Sequence, residues 1–265
     1  MPSPYTLLLA PNASLMTGSG TNTIVLGADP HGALVIDPGD AAPAHLAAIV
    51  EEGVKRGGLR RVLITHNHPD HSSGAAELRE RLHIPIAAFS YTGTPFADEE
   101  IADGSSFAIA DDTLRALHTP GHRFDHLCFL LERQHLLFAG DLLAGSGTVV
   151  ISPPEGDLFD YLASLRRLQN LDITTMIPAH GPIIADPQAR LAEYVAHRLQ
   201  REQQVLAALH DLPPGSTVAA LVERIYAEVD PALHTVAAHS VTAHLLKLER
   251  EGRVQRDGEG WRIIA

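Results

Sequence analysis

The sequence predicts an α/β layered fold followed by a winged-helix-like module at the C-terminal end. Three observations carry that expectation. Short apolar runs of strand character alternate with helical periodicity as far as about residue 190. Four of those runs lead into a His or Asp able to hold a metal. Beyond Asp186 the chain turns to long amphipathic helices and closes on a hairpin signal.

Taken in order, Tyr5 to Leu9, Asn22 to Leu26 and Ala33 to Ile36 read as strands. Turn clusters separate them, Gly18-Ser19-Gly20 and Asp29-Pro30-His31-Gly32. From Ala44 to Lys55 the apolar positions Leu46, Ile49, Val50 and Val54 fall on one helical face. Arg60 to Thr65 is a strand. A helix from Ala75 to Arg81 follows, with Ser72 or Ser73 as its cap, and then a strand at Pro85 to Phe89. Tyr91 to Asp103 is acidic and irregular. Strands return at Phe107 to Ile109, Leu114 to His118, Leu127 to Leu131 and Leu136 to Ala139. A helix covers Leu158 to Leu168, and Ile173 to Ile177 is a last strand.

The C-terminal part begins with a long helix, Arg190 to His210, which Pro213-Pro214-Gly215 breaks. Helices over Thr217 to Val229 and Thr235 to Glu251 precede a hairpin, Arg253 to Arg256 and Trp261 to Ile264, turning at Asp257-Gly258. The expected division is a catalytic domain over 1–190, a linking helix over 191–212 and the winged-helix-like module over 213–265.

Composition narrows the function classes. Of 265 residues 45% are hydrophobic and 20% charged, which is ordinary for a globular protein. The net charge of −12 opposes general attraction to nucleic acid or anionic membrane. Residues 205–265 hold six Arg or Lys against eight Asp or Glu, so the module lacks the basic face of a DNA reader. The single cysteine, Cys128, sits in an apolar run and reads as a buried structural thiol. No apolar run is long enough to span a membrane and no leader pattern opens the chain, so no membrane partner and a cytoplasmic location are expected.

The chemistry lies at the strand ends. Thr65-His66-Asn67-His68-Pro69-Asp70-His71 follows the apolar run Val62-Leu63-Ile64, and in an extended segment His66 and His68 project to the same side. Later strand ends deliver His122, Asp141 and His180. Five imidazoles and two carboxylates suit zinc, with iron or manganese as alternatives, and are too rich in nitrogen for magnesium or calcium. Seven ligands serve two ions if one carboxylate is shared: His66, His68 and His122 at the first, Asp70, His71 and His180 at the second, and Asp141 between them. Two such ions lower the pKa of a shared water towards about 7, which is hydrolytic chemistry. Asp70 can also act catalytically by orienting that water or taking its proton. Asp37 reads either as an outer acceptor for a ligand histidine or as a turn residue. Arg123 and His197 are the candidate substrate-binding residues.

Together, Thr65-His66-x-His68-x-Asp70-His71, Thr119-Pro120-Gly121-His122, Ala139-Gly140-Asp141 and Pro178-Ala179-His180-Gly181 resemble the metallo-beta-lactamase superfamily. That resemblance implies a four-layer αββα sandwich and a binuclear zinc site. Gly145-x-Gly147-Thr148, the helix start Gly156 to Tyr161, Tyr194-x-x-His197-Arg198 and the C-terminal module are similar to the lactamase-beta-like protein 2 group. Its members include a zinc-dependent endoribonuclease on single-stranded RNA, and related fungal sequences are thioesterases. Arg123-Phe124 departs from the small or polar residues more usual there.

The sequence therefore points to a binuclear zinc hydrolase acting on an ester, thioester, lactone or phosphodiester. Single-stranded RNA is the alternative substrate, set against the acidic charge and an aromatic content of only 5%. An iron-dependent sulfur dioxygenase is the second alternative, because the same fold can hold iron.

Overall fold

Alternation along the strands decides which way each sheet faces. In β2 (Asn22–Ala28) Ile24 and Leu26 join one core cluster while Val25 joins another. In β3 (Gly32–Ile36) Leu34 and Ile36 divide in the same way from Ala33 and Val35. A strand with two buried faces needs a packed layer on each. These residues belong to a computed structural model that describes residues 3–28 and 30–264. Asp29 of the expected turn lies outside the described residues.

The chain divides into two compact units. The first comprises Met1–Thr119, Asp125–Thr148 and Leu171–Pro187, and the second comprises Pro120–Phe124, Val149–Asn170 and Gln188–Ala265.

In the first unit β1 (Tyr5–Leu9), β2, β3, β4 (Leu59–Leu63), β5 (Ile86–Ala88) and β6 (Glu99–Glu100) form a six-stranded sheet in that order. Pairing is antiparallel from β1 to β3 and parallel from β3 to β6. The second sheet runs β11 (Thr175–Pro178), β10 (Leu136–Gly140), β9 (Leu127–Leu131), β8 (Asp112–His118) and β7 (Ser106–Ile109). Only its β10–β11 pair is parallel. The sheets enclose a core that includes Ile24, Leu26, Ile36, Leu63, Phe129, Phe138 and Ile177. The other face of the first sheet packs on Leu46 and Ile49 of α1 (Pro43–Lys55) and on Ala75 and Leu78 of α3 (Ala75–Leu82).

Two local expectations change. Neither Ser72 nor Ser73 caps α3: Gly74 precedes it, and Ser72 closes a separate helical turn, α2 (Pro69–Ser72), that carries Asp70 and His71. Strand β4 stops at Leu63 rather than Thr65, because the Thr65 amide turns to the Asp37 carboxylate at 2.8 Å instead of to a neighbouring strand.

The second unit is helical. Asp157 caps α4 (Leu158–Gln169), accepting from the Phe159 and Asp160 amides. The long helix is α5 (Pro187–Asp211). Next come α6 (Val218–Ile225), a short 3₁₀ turn, α7 (His234–Arg250) and the hairpin of β12 (Val254–Asp257) and β13 (Gly260–Ile263). Val205, Leu209, Leu221, Val241, Leu245, Leu248, Val254 and Trp261 form their common core. The helix expected to reach Val229 ends at Ile225, where the chain turns before Asp230 caps the 3₁₀ segment. Among the described residues no helix is long and apolar enough to cross a membrane.

A buried polar layer joins α5 to α7. Lys247 reaches Glu202 at 2.5 Å, and Arg253 reaches the same carboxylate at 2.7 Å. His244, 1% exposed, has no hydrogen-bond partner on either ring nitrogen. Burial, then the charges of Arg198, Lys247, Arg201 and His197, hold its pKa at about 3. The unfolded chain therefore takes up the His244 proton first, and stability is lost as pH falls from about 6.5 towards 3. His244→Leu is expected to abolish this acid-dependent loss, so urea titrations should show the variant gaining on the parent steadily below pH 6.5. A second test addresses the sandwich: Phe129, fully buried, should cost about 3–5 kcal/mol when replaced by Ala, read from the urea midpoint.

Candidate metal centre

Three strand ends of the first unit converge. The loop after β4 carries His66 and His68 and leads into α2. Asp141 follows β10, and His180 follows β11. Because β10 and β11 pair in parallel, Gly140 beside Pro178, their C-terminal ends emerge together. Gly140 has φ of +52°, and a Cβ there would stand 2.6 Å from His126 Nε2, so glycine lets the chain turn sharply into Asp141.

The donor atoms form two overlapping groups. Asp70, His71, Asp141 and His180 each offer an atom within 4.8 Å of the others, and so do His66, His68 and Asp141. His66 Nε2 and His68 Nδ1 face each other at 2.8 Å. Asp141 stands between the groups: Oδ2 lies 3.4 Å from His71 Nε2 and 4.0 Å from His66 Nε2, while Oδ1 lies 3.3 Å from His180 Nε2. Asp70 Oδ2 is 3.2 Å from His180 Nε2 and 3.7 Å from His71 Nε2. His71, His180 and Asp141 are buried, and Asp70 is part-exposed.

The arrangement fits a bound cation on its own chemistry. His71 Nε2 and His180 Nε2 are buried and lack any hydrogen bond, yet both point at carboxylate oxygens. Without an ion the carboxylates hold protons on these rings. Burial alone would lower the pKa of His71, but Asp141 and Asp37 raise it well above the usual value. His180 is treated likewise and stands at about 9, with Asp141 and Asp70 outweighing burial. Burial works against ionisation of Asp141, and His71 and His180 overcome it, holding its carboxyl well below the usual range. Asp70 is lowered in the same way, burial being overcome by His180 and His71. His71, His180, Asp70 and Asp141 together could hold a cation, and its binding would be linked to loss of the ring protons.

Outer contacts fix the ligand orientations. His71 Nδ1 donates to Asp37 Oδ2 at 2.7 Å, so Asp37 takes the acceptor role rather than that of a turn residue. Thr65 Oγ1 donates to the same oxygen at 2.6 Å and stands 3.1 Å from His66 Nδ1, which links His66 to the same carboxylate. The Asp141 amide donates to His126 Nε2 at 3.0 Å, and the other nitrogen of that ring meets Thr119 Oγ1 at 3.0 Å. Cys128 is buried beside Thr119, as expected of a structural thiol. Thr21 Oγ1 donates to the Asp70 carbonyl at 2.8 Å, and the Asn22 amide group donates to the Pro178 and Gly181 carbonyls at 3.0 Å each. Sequence reasoning missed Thr65, Thr21 and Asn22, and only the place of Thr65 beside the histidine motif offers any signal.

His122 and Arg123 lie on the segment Pro120–Phe124 of the second unit. His122 Nδ1 donates to the Val150 carbonyl at 2.9 Å. Arg123 is buried and pairs with Glu155 at 2.7 Å. His197, on α5, is half-buried and borders a small cavity of about 100 Å³ with Gln200, Arg201 and Gln204. Burial, then Arg198 and Arg201, lower its pKa, which favours the neutral ring.

The model of the metallo-beta-lactamase superfamily matches residues 16–180, a span containing all seven candidate ligand positions. The chain belongs to the metallo-beta-lactamase superfamily. Residues 217–261 match the beta-lactamase associated winged helix domain. An atrochrysone carboxyl ACP thioesterase of Emericella nidulans is 33% identical over 92% of this chain and 78% of its own. A beta-lactamase-like protein 2 homolog of Drosophila melanogaster is also 33% identical, over 94% of this chain and 88% of its own. Among solved structures, a metallo-beta-lactamase family protein from Thermus thermophilus superposes with a TM-score of 0.78 at 25% identity, covering 98% of this chain and 97% of that one. The superfamily fold, its C-terminal winged helix and a candidate binuclear metal site are thus all present in this member of the metallo-beta-lactamase superfamily.

Asp37→Asn tests the outer contacts, because Asn tolerates the φ of +50° at this position and removes only the acceptor charge. It is expected to weaken binding of the ion at His71 by about 10–100-fold in competition with a chelator.

Proposed function

We propose that this member of the superfamily is a binuclear zinc hydrolase whose substrate is a thioester. The reading rests on Asp141, whose carboxylate lies between two donor groups rather than within one. His66, His68 and His122 are the ligands proposed for one ion, and Asp70, His71 and His180 for the other, with Asp141 shared. Two zinc ions held there would supply Lewis acidity and bring the pKa of a shared water down to about 7. The family match and the thioesterase named among its relatives support hydrolysis of a thioester.

This chain's own groups do the rest. Asp70 is part-exposed and its pKa is low, so its carboxylate is available to orient the attacking water and accept its proton. Water oxygen bonds to the acyl carbon, the carbon–sulfur bond breaks, and the proton goes to the departing sulfur, giving an acid and a thiol. Arg123 and His197 are proposed to meet the polar end of the substrate. Arg123 would do so while paired with Glu155, and His197 as a neutral hydrogen-bonding ring.

The experiment is a panel on zinc-loaded protein: an acyl-pantetheine thioester, a lactone, a phosphodiester and single-stranded RNA. Thiol release from the thioester at the highest kcat/KM is expected. RNA cleavage with an inert thioester would favour the ribonuclease alternative. Oxygen uptake by iron-loaded protein supplied with a persulfide would favour the dioxygenase. Asp70→Asn should lower kcat on the best substrate by about 10²–10⁴-fold. Full activity in Asp141→Ala would defeat the shared-carboxylate reading.

A further inference from the structure

Arg198 of α5 is 4% exposed and forms no ion pair with a carboxylate among the described residues. Its guanidinium lies over the Tyr161 ring, 5.4 Å from the centroid. One terminal nitrogen donates to the Val149 carbonyl at 2.5 Å, while the buried Nε has no partner. The next carbonyl along the chain, Val150, accepts the Nδ1–H of His122. Two residues further, the Ser152 hydroxyl hydrogen-bonds to His239 of α7 at 2.9 Å. All these residues belong to the second unit.

A guanidinium is costly to bury without a carboxylate, and a residue needed there only to fill space is better supplied by Met or Leu. Here the charge is aimed at one peptide carbonyl instead. Holding the Val149 carbonyl fixes the peptide plane that leads into Val150 and narrows the directions open to the next carbonyl. That carbonyl keeps the proton of His122 on Nδ1, and so makes Nε2 the nitrogen that carries the lone pair.

We propose that Arg198 is a positioning residue for the metal centre, fixing the Val149–Val150 peptides so that Val150 sets the ring and tautomer of His122. His239 braces the same loop from α7. The proposal rests on the reading of His122 as a ligand, and the test separates the two.

Zinc affinity is measured by chelator competition on the full chain for the parent, Arg198→Met, Arg198→Lys, His239→Ala and His122→Ala. Cobalt substitution reports each site through its visible spectrum. Arg198→Met, which keeps the packed stem and loses the donors, is expected to weaken one of the two ions by about 10–100-fold and leave the other unchanged. Arg198→Lys should restore most of that loss. A purely structural role would weaken both ions or neither. Parent-like affinity in Arg198→Met, with one ion lost in His122→Ala, overturns the role of Arg198 and leaves His122 a ligand. Parent-like affinity in His122→Ala overturns the ligand reading itself, and the proposal with it. Should Arg198→Met fail to fold, His239→Ala, a change at an exposed side chain, is expected to weaken the same ion several-fold, and an unchanged affinity there also overturns the proposal.

Discussion

The carboxylate of Asp37, 1% exposed, is tolerated in the interior because three donors meet it: the Thr65 amide, the Thr65 hydroxyl and His71 Nδ1. Its backbone is held as well, the amide by the Leu63 carbonyl and the carbonyl by the Thr23 hydroxyl. One side chain therefore ties the exit of β3 to the exit of β4 and sets two imidazoles at once, His71 directly and His66 through Thr65. These histidines belong to different donor groups. Asp37 thus fixes the relation between the groups as well as the orientation within each, and it does so from behind the ligands, where it takes up no space that an ion or substrate needs.

The candidate ligands are legible in the sequence because periodicity and chemistry coincide at them. A run such as Val62-Leu63-Ile64 announces a strand, and the residues that follow it can serve no apolar purpose. Asp141 and His180 are legible for the same reason. What supports them is not. Asn22 secures the His180 turn from more than 150 residues away, and Arg123 finds Glu155 beyond the two intervening strands β9 and β10, in pairings that no local pattern encodes. The misplaced cap before α3 has a local cause: Pro69 starts a separate turn, so the serines that look like a helix start are already used. Nor does the sequence indicate that 120–124 and 149–170 group with the C-terminal helices, since contact between distant segments is a property of packing.

The C-terminal region reads as a module without a basic face, and its cations are paired with carboxylates, Lys247 in the interior and Arg250 and Arg253 at the surface. Lys247 and Arg253 share Glu202, and Arg250 reaches Asp157 and Asp160 of α4 while covering Phe159. Cations used in this way hold helices together and leave little for a phosphate backbone. The same region matches the beta-lactamase associated winged helix domain, so the match coincides with a module that holds six Arg or Lys against eight Asp or Glu.

Strands β10 and β11 are neighbours in the sheet, yet between them the chain leaves the first unit, contributes Val149–Asn170 to the second, and returns in register with Leu136 opposite Thr175. The spacing of Asp141 and His180 is set by the ladder between those strands and owes nothing to the length of the excursion. One stretch of chain thus builds the ladder that spaces Asp141 and His180, and another, inserted between its strands, builds part of the second unit.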